Sequence, residues 1–183
     1  IFDLVGSNSP EAAVYGVMSY VYGHEMYHGI ERELYPQLMP TSPVVSASKD
    51  CVKDHFDLVE QRFPGDPRWT FFEAEDEADV YGTEIAYGAF KTAIGSRIDE
   101  LAYPSLNISQ QQLFFYANSM FGCNVHGGMT INGAPVLFSQ HYQVNGRLGQ
   151  RPEFQSAFQC SATDDMVFPQ NQHCPIFFPT YTA

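Results

Sequence analysis

The sequence predicts a mainly α domain with little strand, and three observations carry that expectation. The first is a helix-start signal, Asn8-Ser9-Pro10-Glu11, followed by Val14, Val17, Met18 and Val21 at helical spacing. The second is the repeat of Val52, Phe56 and Val59, which lines one helix face. The third is a stretch from Phe72 to Ile94 that opens on a run of acids, where carboxylates favour the positive end of a helix.

Taken in order, the first helix is expected from about Pro10 to Gly29. Gly16 and Gly23 cost it helix propensity, which a closely packed neighbour explains. Pro36, Pro40 and Pro43 then mark Glu31 to Ser46 as an irregular connection. A second helix follows from about Ser48 to Gln61, and Phe63-Pro64-Gly65-Asp66-Pro67 reads as a turn. In the third helix, Glu73, Glu75, Asp76, Glu77 and Asp79 read on charge alone as a solvated face. Ser109 to Phe121 forms a helix with Leu113, Tyr116, Ala117 and Met120 inward. Gly127-Gly128 and Asn132-Gly133-Ala134-Pro135 are turns, Pro152 to Phe158 is a short helix, and the Pro-rich tail from Asp164 is irregular.

Composition bounds the function. A length of 183 residues suits one domain, and 15 Phe with 11 Tyr point to an interior packed on aromatic rings. A net charge of -12 with only 9 Lys+Arg leaves no basic footprint, so no nucleic acid is expected as a partner. No apolar run reaches the ~18 residues that a membrane span needs. The chain opens on Ile1-Phe2 without the charged-then-apolar order of a signal peptide, and is expected to be a processed product or a fragment. Its 4 Cys make no CxxC pair; an even count at wide spacing suits disulfides and an extracellular or cell-surface setting. Asn107-Ile108-Ser109, a glycosylation sequon, points the same way.

The chemistry centres on His24-Glu25-Met26-Tyr27-His28. This is the HExxH signature: positions i and i+4 project from the same side of a helix, so two imidazoles can grip one zinc ion. Glu25 between them can take a proton from an attacking water. A zinc site of this kind needs a third ligand, and on charge alone Glu73, Glu75 and Glu77 are rivals. A metzincin site would require HExxHxxGxxH; here position 31 is Glu and position 34 is Leu, so that reading fails.

Glu75-x-x-Ala78-Asp79 resembles the ExxAD segment of the neprilysin family of zinc endopeptidases. Gly82, Ala86, Tyr87, Ala89 and Phe90, then Gln112-Leu113-Phe114-Phe115, Cys123, Val144-Asn145-Gly146, Pro152-Glu153-Phe154, Ala157-Phe158-x-Cys160 and Cys174 are similar to that family in order, over nearly the whole chain. The resemblance implies a thermolysin-like (gluzincin) catalytic region, residues 1–183, belonging to a longer ectodomain. It implies one Zn2+ held by His24, His28 and Glu75, with Glu25 as the base and Asp79 holding a zinc-binding His in its tautomer. The substrates it implies are short extracellular peptides, cut beside a hydrophobic residue. It also implies a Cys51–Cys174 disulfide and ties Cys123 and Cys160 to an N-terminal part. In this chain those two cysteines are bonded to a separate fragment, bonded to each other, or free.

The chain departs from the family in three places. Glu31 stands where the family has Asp. Leu137 replaces a His that stabilises the tetrahedral intermediate, and Gln143 replaces a substrate-binding Arg; His126 and His141 lie nearby but out of register. Losing one such donor typically costs ~10²–10³ in rate. The departures support an alternative expectation, a catalytically weak or inactive zinc-binding subunit.

Overall fold

Two long helices cross at their glycines, and the remaining elements pack around that crossing. The structure is a computed structural model and describes residues 9–38, 42–64, 73–120, 129–131, 134–136 and 140–175. The first helical stretch comprises α1 (Glu11–Val14), a π turn (Tyr15–Ser19) and α2 (Tyr20–Leu38). It is followed by α3 (Pro43–Arg62) and α4 (Glu73–Ile94). A two-stranded pair, β1 (Leu101–Tyr103) with β2 (Ile108–Ser109), leads into α5 (Gln110–Met120). A second antiparallel pair, β3 (Met129–Ile131) with β4 (Ala134–Val136), precedes α6 (Gln140–Gly149) and α7 (Pro152–Ala157). The mainly α expectation holds, and among the described residues strand is confined to these two short pairs.

The π turn falls where Gly16 meets α5. A Cβ on Gly16 would collide with the Phe114 carbonyl oxygen and stand 2.8 Å from Ala117 Cβ. The wider turn inserts one extra residue, which re-phases everything downstream by about 100° relative to α1. Gly16 and Gly23 each have the close neighbour that the sequence asks for, α5 for Gly16 and Gly82 of α4 for Gly23.

The core has two aromatic-rich clusters. One gathers Tyr27, Val52, Phe56, Val59, Tyr81 and Phe168 between α2, α3, α4 and the tail. The other gathers Tyr20, Tyr87, Phe90, Leu113, Phe114 and Phe115 around α4 and α5. Tyr27 stacks on Tyr81 at 4.7 Å and Phe90 on Phe114 at 4.9 Å, within the range where offset rings attract. The inner face expected of Val52, Phe56 and Val59 is buried.

Several expectations need correction. The connection from Glu31 to Ser46 is largely helical: α2 continues to Leu38 with Pro36 inside it, and α3 already begins at Pro43. Pro36 lies in the last turn, where it gives up the bond back to residue 32 and α2 ends two residues later, and Pro43 occupies the start of α3, where that N–H has no partner in any case. The acidic run is not a solvated face. Asp76, Glu77 and Asp79 are 3%, 1% and 2% exposed, because α4 passes through the middle of the molecule. Glu77 accepts from Tyr27 Oη at 2.6 Å and pairs with Lys49 Nζ at 3.6 Å. Tyr116 and Met120, expected inward on α5, are each 48% exposed, while Phe114, Phe115 and Asn118 point in. Ala134 and Pro135 belong to β4 rather than to a turn. The turns expected at Gly127-Gly128, Asn132-Gly133 and positions 65–67 lie outside the described residues.

Candidate metal centre

The site is set by how closely α2 approaches α4. A Cβ on Gly23 would lie 2.8 Å from the Gly82 carbonyl oxygen, and one on Gly82 would lie 2.7 Å from His24 N. The backbones therefore touch where these residues face each other, and only glycine allows it. His24 and His28 rise from α2 one turn apart, and Glu75 and Asp79 rise from α4 one turn apart. The crossing brings the two pairs together.

His24 Nε2 and His28 Nε2 are 3.0 Å apart. Glu75 meets both, with Oε2 at 3.2 Å from His24 Nε2 and Oε1 at 3.4 Å from His28 Nε2. These three residues form a cluster whose ligand atoms lie within 4.8 Å of one another. Zinc bonds of about 2.0–2.1 Å place neighbouring tetrahedral ligands about 3.3 Å apart, the scale of the observed separations, with Oε2 facing His24 and Oε1 facing His28. The donor chemistry fits as well. With Asp79 accepting from His24 Nδ1, the lone pair of Nε2 points at an anionic carboxylate, an arrangement that calls for a cation or a proton between them.

The charges around the site respond accordingly. Burial lowers the His24 pKa, but hydrogen bonds and charges from Asp79 and Glu75 outweigh it and raise the value to about 9. The bond to His24 holds the Glu75 carboxyl below its ordinary range, against the opposing effect of burial. Asp79 Oδ1 lies 3.0 Å from His24 Nδ1 and also accepts from Tyr20 Oη. Burial, and then the Asp79 charge, push the Tyr20 phenol well above its usual value, so it stays a neutral donor.

The other predicted site residues are distributed as follows. Glu25 is exposed on α2, next to His24. Of the rivals for the third ligand, Glu77 turns into the core and Glu75 stands beside the histidines, while the Glu73 side chain lies outside what the structure describes. Glu31 is half-buried on α2, and Gln143 half-buried on α6. His141 lies on α6, whereas His126, Leu137 and Cys123 fall outside the described residues. Cys51 and Cys174 are disulfide-bonded, with Cα atoms 5.4 Å apart. Cys160 carries a free, partly exposed thiol. Asn107 is exposed in a left-handed turn at φ 53°. Sequence reasoning missed Tyr20, Asn118 and Arg147. Tyr20 did leave a signal, since Tyr20, His24 and His28 are spaced i, i+4, i+8 on one face.

The family model described as peptidase family M13 matches residues 2–174. The chain belongs to this family. It is 27% identical to the human (Homo sapiens) Kell blood group glycoprotein over 158 residues, 83% of this chain and 21% of that protein. It is 28% identical to human endothelin-converting enzyme-like 1 over 174 residues, 86% of this chain and 22% of that protein. It is 27% identical to mouse (Mus musculus) endothelin-converting enzyme 1 over 186 residues, 91% of this chain and 23% of that protein. The chain thus spans about a fifth of the length of these curated relatives. No solved structure gives a significant match. The matched region has the mainly α, gluzincin-like fold of the M13 family. No described helix is long and apolar enough to cross a membrane.

Proposed function

We propose that this chain is the zinc endopeptidase region of a longer ectodomain, a single domain over residues 1–183 that hydrolyses short extracellular peptides beside hydrophobic residues. The observation that carries the reading is the convergence of His24 Nε2, His28 Nε2 and the Glu75 carboxylate at 3.0–3.4 Å, from two helices in glycine contact. His24, His28 and Glu75 hold one zinc ion. When bound, zinc supplies Lewis acidity to the scissile carbonyl and makes water acidic enough to ionise near neutral pH. Glu25 is exposed beside that centre; its carboxylate takes the proton of the attacking water and returns it to the leaving amine. Asp79 accepts from His24 Nδ1–H, which fixes the tautomer with a lone pair on Nε2.

The Cys51–Cys174 disulfide and the exposed Asn107 sequon support an extracellular or cell-surface location reached through the secretory pathway, with Asn107 glycosylated. An N-terminal fragment, held covalently through Cys123 and Cys160 or without a covalent bond, is the proposed protein partner. A second reading, zinc retained with weak or no turnover, is supported by Gln143. No charge stands at that position, and Arg147 one turn further on α6 is buried and faces Asp79.

The test is chelator-sensitive cleavage of a peptide library by the wild type and by Glu25→Gln, with zinc stoichiometry for both. The expected result is one zinc in each protein and a loss of about 10²–10⁴ in rate for the variant. A wild type that holds one zinc and cleaves nothing establishes the second reading. A wild type that holds none overturns both.

A further inference from the structure

We propose that Tyr20 and Arg147 are positioning residues: together they clamp Asp79 and, through it, hold the His24 imidazole in the tautomer and orientation that metal binding needs. The proposal rests on the metal-site reading above and extends it to two residues outside the HExxH and ExxAD motifs.

The clamp is built from four helices. Asp79 on α4 is buried, and its Oδ1 is shared by His24 Nδ1 at 3.0 Å and Tyr20 Oη. Tyr20 precedes His24 by one turn of α2, so hydroxyl and imidazole reach the same carboxylate oxygen from the same helix face. Asp79 Oδ2 makes no hydrogen bond among the described residues; its charge is met by Arg147 Nη1 at 3.7 Å. Arg147 and Tyr20 are each 1% exposed.

Arg147 is itself held on every side. Nη1 donates to Tyr20 Oη at 3.2 Å, Nε to Asn118 Oδ1 at 3.1 Å and Nη2 to the Asn118 carbonyl at 2.9 Å. The guanidinium also lies over the Tyr20 ring, 4.6 Å from its centroid. Asn118 belongs to the last turn of α5, so α5 anchors Arg147 on α6, Arg147 orients Tyr20 on α2, and Tyr20 fixes the carboxylate on α4. A buried carboxylate with only the imidazole as partner could turn and offer either oxygen, or turn away from Nδ1 and let the proton pass to Nε2 beside Glu75. With Oδ1 occupied by Tyr20 and Oδ2 facing a fixed cation, the imidazole keeps Nδ1 toward Asp79 and Nε2 toward Glu75. Outer partners of this kind typically change metal affinity 10–100-fold.

Tyr20→Phe deletes the hydroxyl and keeps the ring under Arg147. Arg147→Lys keeps a cation, and Arg147→Met removes it. Metal-free folding is followed by near-UV circular dichroism, zinc affinity by competition with a chromophoric chelator, and ligand geometry by the visible bands of the Co2+-loaded protein. We expect folded Tyr20→Phe to bind zinc 10–100-fold more weakly with shifted Co2+ bands, and Arg147→Lys to retain more affinity than Arg147→Met. A role confined to packing would lower the unfolding midpoint and leave the Co2+ bands in place. Should Arg147→Met not fold, Tyr20→Phe and Arg147→Lys decide alone. Folded Tyr20→Phe with wild-type zinc affinity and wild-type Co2+ bands overturns the clamp. A wild type that takes up no zinc overturns the metal reading itself, and the clamp with it.

Discussion

The contact between Gly23 and Gly82 brings the proposed metal ligands of two helices together, and Gly82→Ala is the sharpest way to disturb it. The added Cβ would stand 2.7 Å from His24 N, 2.9 Å from His24 Cα and 3.1 Å from His24 Cβ. None of these atoms sits on the far end of a flexible side chain, so none can swing away. Restoring ordinary contact at 3.4 Å requires α2 and α4 to part by about 0.7 Å at that point. Overpacking of this kind costs about 1–3 kcal/mol. Metal sites accept ligand distances within about 0.2 Å, and the displacement falls between the helix that carries both histidines and the helix that carries Glu75. Gly82→Ala is therefore expected to lower stability by about 1–3 kcal/mol and zinc affinity at least about tenfold. Gly88→Ala is the control: it lies on the same helix, is exposed, and its Cβ meets nothing within 4 Å. It is expected to raise stability by about 1 kcal/mol through helix propensity and leave zinc binding alone. Urea unfolding and chelator competition on both variants test this. A Gly82→Ala protein as stable as the wild type, with the same zinc affinity, refutes the argument that close crossing builds the site.

Two further outcomes follow from the region around α3. His55 is buried between Phe56 and Phe168, with Nε2–H donating to the Gly146 carbonyl at 2.8 Å; burial above all lowers its pKa to about 4. The unfolded chain, with an ordinary value near 6.5, binds the extra proton first, so this contribution to stability is complete above about pH 6.5 and is lost as pH falls toward 4, by up to about 3 kcal/mol. Urea unfolding of the wild type from pH 7.5 to 4 measures the slope; His55→Gln should flatten it, and an unchanged slope would assign the acid sensitivity to other groups. Cys51 and Cys174 close a separation of 123 residues, so Cys51→Ser should cost about 2–5 kcal/mol, read as a lower urea midpoint that matches the reduced wild type. Equal midpoints for the variant and the oxidised wild type would contradict this.

The fold was legible wherever local signals and burial agree. Val52, Phe56 and Val59 declare α3, and the start signal ending at Pro10-Glu11 declares the first helix. Reading failed where one residue carries two meanings. Proline suits the first turn of a helix, as at Pro43, and at Pro36 it costs a bond only two residues before the helix ends, so both read as loop markers and are not. The helix α6 carries glycines at 146 and 149 and few apolar residues, so nothing in its periodicity announces it. Its glycines serve packing instead: a Cβ on Gly146 would run into the Phe56 ring, and one on Gly149 would stand 2.7 Å from the Phe168 ring. The acids of α4 looked solvated because charge alone says nothing about partners 50 or more residues away, such as Tyr27 for Glu77 and Tyr20 for Asp79. The histidines at i and i+4 were readable because a single helix brings them together. Arg147 was not, since its meaning depends on α2, α4 and α5 meeting around it.

That arrangement separates metal binding from turnover. On α6, Gln143 and Arg147 lie one turn apart and share a face, so the chain carries a cation close to the position where family resemblance expects one. The guanidinium cannot serve a substrate from there. It is buried, it donates to Tyr20 and twice to Asn118, and its charge balances Asp79. Withdrawing it toward substrate would leave Asp79 Oδ2 buried without the cation that faces it, at a cost in stability. A cation spent on holding Asp79 supports the proposed zinc site but adds nothing to the binding of a peptide backbone. Restoring a guanidinium at Gln143 would therefore act on turnover and substrate affinity, whereas changes at Tyr20 or Arg147 would act first on the metal.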